Sequence, residues 1–374
     1  MAQVNHAAYL LNKNGKSLEV RPAPYPIPGP DEIVVKNGAV AINPVDLGKQ
    51  AAGDMMLPWV KYPFVLGSDV AGEVVGLGEG VEGLEPGDRV LGHAVGMDKR
   101  ANKAAEGAYQ EYTILRTCLV AKIPEDLPYE RACVLPLAMS TAACGLFLKD
   151  YLALKQPTTS IEANDATGEA VVIWGGSTSV GSNAIQLARA AGCYVLTTSS
   201  TQNFDYVKAL GASQVFDYRD PKAVKEIIKA LGGRECAGAL AIGNRSLEAC
   251  IDIVAAVPGR KFVAQVSTPM DPAQMPKGIV ALLGALISFI WWNISVRVKA
   301  KLKHVAVKFI WGSDVMANDV GEILYNRFLP GALASGQYQA KPDPEVIGIG
   351  LQSIQPAMEA YKKGVSAKKI VVRL

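Results

Sequence analysis

The chain has 374 residues, 49% hydrophobic and 20% charged, with 38 lysines and arginines against 35 aspartates and glutamates. At roughly 150 residues per domain this length favours two domains, and the composition is too apolar for an intrinsically disordered chain. The small basic excess is spread along the sequence instead of forming a stripe, so nucleic acid is not an expected partner.

Between Val20 and Asp88 short β-branched runs, Ile33–Val35, Val40–Ile42 and Val70–Val75, alternate with Pro and Gly breaks such as Pro86-Gly87-Asp88. That punctuation predicts a compact β-rich domain. After Asp150 the texture changes. The apolar run Val171–Trp174, a cluster of glycines, helical spacing over Val180–Ala191 and a second run at Tyr194–Thr198 make a parallel βαβ unit. The alternation continues with helices near Phe204–Leu210, Ala223–Ala230 and Leu247–Ala256, and strands near Gln214–Phe216, Ala237–Ile242 and Lys261–Val266. This is the pattern of a doubly wound domain placed second in the chain. Linkers are read at Gln156–Gly168, rich in Thr, Ser, Asn and Asp, and at Ser267–Lys277, which holds three prolines.

Ile279–Val296 is eighteen residues without a charge, followed by Arg297, Lys299, Lys301 and Lys303. Its length alone admits a membrane span. Its place between two strands of one sheet instead favours a buried or subunit-facing helix, with contact to an anionic membrane surface as the sharper alternative. A homodimer or a peripheral membrane contact through 279–303 is therefore among the expected partners. The six cysteines contain no C-x-x-C pair, which argues against a disulfide framework or a structural zinc. The N-terminal residues lack a signal-peptide pattern, and a cytoplasmic location is expected.

Trp174-Gly175-Gly176-Ser177-Thr178-Ser179-Val180-Gly181 follows a strand and opens a helix. The first backbone N–H groups of a helix have no internal partner and lie at the positive end of its dipole, so a pyrophosphate can be held there without a basic side chain. Laid on G-x-G-x-x-G, the residues are Gly176, Thr178 and Gly181, with threonine in the middle position. The hydroxyls of Ser177, Thr178 and Ser179 are expected to donate to phosphate oxygens, with Val180 completing the cradle. No Asp or Glu occurs between Glu169 and Asp205, so the acidic side chain that would select NAD and repel a 2′-phosphate is missing. NADPH is the expected cofactor, its 2′-phosphate held by Ser199, Ser200 and Asn203 with Tyr218 and Arg219.

With these motifs in hand, the chain resembles the medium-chain dehydrogenase/reductase superfamily over nearly its whole length. The resemblance is carried by Ala41-Ile42-Asn43-Pro44-Val45-Asp46, Leu66-Gly67-Ser68-Asp69-Val70-Ala71-Gly72, Gly87-Asp88-Arg89-Val90, Gly107-Ala108-Tyr109-Gln110-Glu111-Tyr112, Pro136–Thr141 and the glycine loop. Within it, the chain is similar to the zinc-free quinone-reductase-like branch and to fungal trans-acting enoyl reductases. The resemblance implies an α/β fold class: a GroES-like β-rich catalytic domain over 1–148 and 313–374, and a Rossmann domain with a parallel sheet over 149–312.

Two departures bear on chemistry. Zinc alcohol dehydrogenases of the superfamily carry Cys where this chain has Asn43, and Gly-His-Glu where it has Gly67-Ser68-Asp69, so no metal is expected. Without a Lewis acid, hydride transfer to an electron-poor carbon–carbon double bond is the accessible reaction. The expected substrate is a small-molecule unsaturated carbonyl or a carrier-tethered acyl group. The resemblance places Asn43 near the nicotinamide ribose or the reacting centre, Thr141 beside the nicotinamide, and Gly312-Ser313 against its carboxamide. Lys49 is a candidate for reaching a substrate carbonyl, and Asp46 reads as a turn-holding carboxylate. Trp59, Tyr62 and Phe64 are candidate pocket walls, while Lys368 and Lys369 read as a solvated pair, with an approach to the cofactor as the alternative. The alternative is an inactive cofactor-binding or membrane-associated scaffold of the same fold.

Overall fold

The computed structural model describes residues 4–159, 168–269 and 278–374. Most of the two linker segments read from the sequence therefore falls outside the described residues. Two units divide the chain. The first holds the described residues up to Leu137 together with Met316–Leu374, and the second holds those from Ala138 to Val315.

The N-terminal part of the first unit supplies β1 (Asn5–Leu10), β2 (Glu19–Ala23), β3 (Glu32–Ala41), β4 (Phe64–Val65), β5 (Asp69–Leu77), β6 (Arg89–His93), β7 (Tyr112–Arg116) and β8 (Val120–Lys122). The two runs at Ile33–Val35 and Val40–Ile42 merge into the single ten-residue β3. Asn37 makes that continuity tolerable. Its buried amide nitrogen donates to the carbonyls of Ala108 and Gln110 and to Thr113 Oγ1, so the donor end of a polar residue between two apolar runs is answered inside the sheet, while its Oδ1 is buried without a partner among the described residues.

The second unit contains β9 (Ala170–Trp174), β10 (Tyr194–Ser199), β11 (Gln214–Asp217), β12 (Cys236–Ala241), β13 (Phe262–Gln265) and β14 (Ala306–Phe309). All pair in parallel in the order β11-β10-β9-β12-β13-β14. Counted within the unit this is third, second, first, fourth, fifth, sixth, the doubly wound order with its reversal between the first and fourth strands. Helices 179–190, 223–231 and 246–256 connect them, as the periodicity predicts. Val171, Val172 and Ile173 are wholly buried, the state expected of a parallel strand covered on both faces.

The chain then returns to the first unit with β15 (Asp343–Ile349) and β16 (Lys368–Arg373). One sheet there has the order β15-β16-β3-β5-β6-β8 with β7 also on β3, and a smaller one has the order β2-β1-β4. The β-rich domain and the parallel-sheet domain of the sequence reading are both present.

The apolar segment forms the helix Ile279–Leu302. It is not a buried core helix. Val296 and Ala300 are buried, but Val280, Ile287 and Trp291 are 85%, 56% and 66% exposed. Among the described residues no helix is long and apolar enough to cross a membrane.

Candidate active site

Parallel pairing brings the carboxyl ends of the second unit's strands to one edge. Ser199 stands opposite Asp217, Trp174 opposite Ala241, Ala241 opposite Gln265, and Gln265 opposite Phe309. Loops leaving this edge carry Gly175–Gly181, Ser200–Asn203, Tyr218 and Gly312–Ser313. The glycine loop leaves β9 beside the strand-order reversal, the crevice where ligands of doubly wound sheets bind. The sheet thus brings all the sequence-predicted cofactor residues to one side of one unit.

The loop is tied down from behind. Gly175 N–H donates to Thr198 Oγ1 at 3.0 Å and Gly176 N–H to the Thr198 carbonyl at 2.8 Å. A Cβ on Gly181 would stand 2.2 Å from the Gly175 carbonyl oxygen, so glycine there permits the helix to start against the strand. Thr178 has a different task from the expected one. Its Oγ1 donates to the Gly175 carbonyl and accepts from Gly181 N–H at 3.0 Å, capping the helix 179–190. Its only hydroxyl proton is engaged, so the expectation that it donates to phosphate is corrected. The N–H groups of Ser177, Ser179 and Val180 have no partner among the described residues, and all three residues are partly exposed.

At the end of β10, the buried Ser199 donates its hydroxyl to the Ser200 carbonyl at 3.1 Å. Asn203 donates its amide to Ser200 Oγ at 3.1 Å. Ser200 is the partly exposed member of this group. Tyr218 is 49% exposed, with the Arg219 guanidinium 5.7 Å from its ring centroid. Arg219 also forks onto Asp217 with two donations of 3.1 Å. Both the forked hydrogen bonds and the charge of that guanidinium hold the Asp217 carboxyl below its ordinary range.

Within 138–147 of the helix Pro136–Phe147, Thr141 alone is not buried. One turn on, the thiol of Cys144 donates toward the carbonyls of Trp311 and Gly312, at 3.4 and 3.5 Å. The helix turn bearing Thr141 is therefore joined to the Gly312 turn, where Ser313 is 8% exposed. Cys144 is a small, wholly buried residue at this junction.

The first unit holds a separate buried polar knot. Val371 pairs with Ala41 in the antiparallel β16–β3 ladder, and Ile42 N–H donates to the Ile370 carbonyl, so the register continues to set Lys369 opposite Asn43. Ala41 pairs with Asp69, and Asp69 with His93. Lys369 donates to Asn43 Oδ1 at 2.5 Å and lies 3.0 Å from Asp69 Oδ2, which also accepts from the Asn43 amide at 2.8 Å. Leu137 N–H donates to Asp69 Oδ1 at 2.6 Å. Lys369 is 4% exposed, so it is not the solvated residue expected from its neighbour Lys368.

Beside this knot, Asp46 accepts from Asn43 N–H at 2.9 Å, Gly67 N–H at 3.1 Å and Tyr109 Oη at 2.7 Å. The first of these is the capping arrangement that holds a helix start. Burial pushes the Asp46 carboxyl up to about 6 against those three donors. Burial lowers His93 to about 4, against the opposing pull of Asp69 and Asp98. Gly67 adopts φ 93°, and a Cβ there would meet the Tyr109 ring at 2.5 Å. Asp46 is thus the turn-holding carboxylate of the sequence reading.

Two candidate catalytic side chains turn inward. Asn43 is 3% exposed with both ends of its amide engaged. Lys49 is fully buried and donates to the carbonyls of Gly53, Met56 and Leu57, each at 3.0 Å. All three of its ammonium protons are used, and its burial lowers its pKa. The structure therefore gives Lys49 a turn to brace and leaves it no proton for a substrate carbonyl. Of the expected pocket walls, Trp59 donates to the Met97 carbonyl at 3.0 Å and Phe64 is 2% exposed.

Residues 29–125 match the alcohol dehydrogenase GroES-like domain, and residues 179–288 the zinc-binding dehydrogenase family. The chain is 52% identical to "Dehydrogenase pigH" of Monascus ruber, covering 99% of both chains. It is 37% identical to "Trans-enoyl reductase himH" of Aspergillus japonicus, over 99% of this chain and 98% of that one. The crystal structure of CurK enoyl reductase superposes with a TM-score of 0.71 at 19% identity, covering 99% of each chain.

The second family description raises zinc, and the donors present do not suit it. Among the described residues no three His, Cys, Asp or Glu side chains gather as a metal set. The Asn43 and Asp69 oxygens already face the Lys369 ammonium, and a dication beside that charge would be repelled. By sequence and by fold, the chain belongs to the medium-chain dehydrogenase/reductase superfamily of nicotinamide-dependent oxidoreductases, in the branch that holds the fungal trans-enoyl reductases.

Proposed function

We propose that this chain is a metal-independent, NADPH-dependent reductase of a carbon–carbon double bond conjugated to a carbonyl, as in an enoyl thioester, an enone or a quinone. The observation that carries the reading is the glycine loop beside the strand-order reversal, followed by no acidic side chain until Asp205. The relatives that bear reductase names support the direction of the chemistry. The catalytic part is assigned to 1–148 and 313–374 and the Rossmann part to 149–312, in the cytoplasm.

The N–H groups of Ser177, Ser179 and Val180 would hold the pyrophosphate at the positive end of the helix 179–190. Gly176 and Gly181 keep that loop close to the sheet, and Thr178 fixes its shape. Ser200, Asn203 and Tyr218, with Arg219, would hold the 2′-phosphate, Ser199 supporting them from the strand end. Thr141 and the Gly312-Ser313 turn would orient the nicotinamide end. When bound, the reduced nicotinamide supplies hydride from its ring C4 to the β-carbon of the substrate. Asn43 is a positioning residue in this scheme, holding the turn above Asp69 and Lys369. The substrate is a free unsaturated carbonyl or one tethered to a carrier.

The test is loss of reduced-nicotinamide absorbance with unsaturated thioesters, enones and quinones, using chelator-treated protein with and without added zinc. The reading expects turnover with NADPH, unchanged by zinc. Turnover that requires zinc, or its absence with all three substrate classes, would overturn it.

A further inference from the structure

The helix Ile279–Leu302 rests on its own unit along one face only. Trp292 Nε1 donates to Glu248 Oε1 at 2.6 Å, Lys299 donates to Asp252 Oδ2 at 2.7 Å, and Lys303 lies 2.8 Å from the other Asp252 oxygen. Val296 and Ala300 close that seam. On the other side Val280, Ile287, Trp291, Ile294, Val298 and Leu302 are between 49% and 85% exposed. At 3.6 residues per turn these six fall within an arc of about 80° and form a row about 33 Å long. A continuous apolar row of that length on a surface marks an interaction site.

Charge identifies the partner. From Gly278 to Ser313 there is no Asp or Glu, whereas Arg297, Lys299, Lys301, Lys303 and Lys308 are basic. Lys299 and Lys303 are held by Asp252, and Lys308 pairs with Asp150. Arg297 and Lys301 are exposed at the edge of the apolar row and have no acidic partner among the described residues. A second copy of this segment would bring the same apolar and basic residues and no carboxylate to answer them. An anionic lipid surface supplies both an apolar boundary and negative charge. Trp291, outward and 66% exposed, is the side-chain type that settles at the headgroup level.

We propose that the outer face of Ile279–Leu302 docks this protein on an anionic membrane surface, with the helix lying in the interface plane. The apolar row enters the boundary between headgroups and acyl chains, and Arg297 and Lys301 meet the headgroup charge. The test is co-sedimentation of the full chain with vesicles of phosphatidylcholine alone and of phosphatidylcholine with one-third phosphatidylserine, alongside analytical ultracentrifugation without lipid. The expected result is binding to the anionic vesicles only. It should be weakened roughly 25-fold by Arg297→Gln with Lys301→Gln and abolished by Ile287→Glu with Trp291→Glu, with the far-ultraviolet spectrum unchanged. The proposal is overturned by absence of binding to anionic vesicles, or by equal binding to both compositions. It is also overturned by a lipid-free dimer that the Ile287→Glu/Trp291→Glu variant dissociates, with no sedimentation on vesicles.

Discussion

At the loop 174–181 the N–H groups of Ser177, Ser179 and Val180 are left unanswered on the accessible edge of a parallel sheet. Around Asp69, by contrast, Asn43, Lys369 and the Leu137 N–H close on one carboxylate inside a sheet where Asp69 is 0% exposed. The first region keeps donors without partners among the described residues; the second is held because its polar groups satisfy one another. Residue types that look catalytic in a sequence, such as Asn43 and Lys49, can belong wholly to the second kind. A site is recognised by unsatisfied groups that water can reach, and a positioning knot by their absence.

That contrast is broken most severely at Lys369. Replacing it by methionine leaves the Asp69 carboxylate buried without its cation, and a loss of about 3–5 kcal/mol in chemical denaturation is expected. Adding Asp69→Asn to Lys369→Met should recover a large part of that loss. A cost below about 1 kcal/mol for the single variant would mean the knot is solvated.

The same knot makes a prediction with a sign. His93, held near 4, binds fewer protons folded than unfolded, so it adds stability above the unfolded value of 6.5 that is lost as pH falls toward 4. Asp46, raised to about 6, binds more protons folded than unfolded, so its contribution is greatest below 3.8 and is lost as pH rises through 6. Over this shared window the two nearly offset. Relative to the parent chain, His93→Gln should lose stability as pH rises from about 4 to 6.5, and Asp46→Asn should lose it as pH falls from about 6 to 4. Each swing reaches about 3 kcal/mol. Denaturation midpoints across the window check the signs, and parallel curves for all three chains would contradict them.

Smallest is the effect at Thr178, which sharpens the ligand side of the comparison. Thr178→Ala should cost about 1 kcal/mol of stability through the lost helix cap, and Thr178→Asn should restore it. Coenzyme affinity should follow stability. An alanine variant of unchanged stability that binds the coenzyme far more weakly would instead return the hydroxyl to the phosphate.

The parallel-sheet unit was legible because its signals are local: Val171–Trp174, the glycines and the helix start lie within a dozen residues, and propensity and period agree. The gathering of the candidate cofactor residues at one edge followed from it, since parallel strands put their loops on one side. The knot was hidden because its members are brought together by pairing register. Lys369 and Asn43 are 326 residues apart, and Asp46 and Tyr109 are 63 apart. Nothing local separates a buried Lys369 from an exposed Lys368. The available signal was Asp69 within the apolar frame Leu66–Ala71, which calls for a buried cation somewhere in the chain. Sequence alone does not separate the two tasks of Thr178 for a related reason, because a threonine in a phosphate loop and a threonine at a helix cap occupy the same sequence position.

The central claim is that the edge beyond β9 and β10 prefers a phosphorylated reduced nicotinamide. Titrating the full chain with NADPH and with NADH, by quenching of protein fluorescence at matched ionic strength, tests it directly. The account predicts that NADPH binds tighter on the order of tenfold or more, the preference falling when Ser200 and Tyr218 are replaced by alanine and phenylalanine. Equal affinity for the two coenzymes, or tighter binding of NADH, would contradict it.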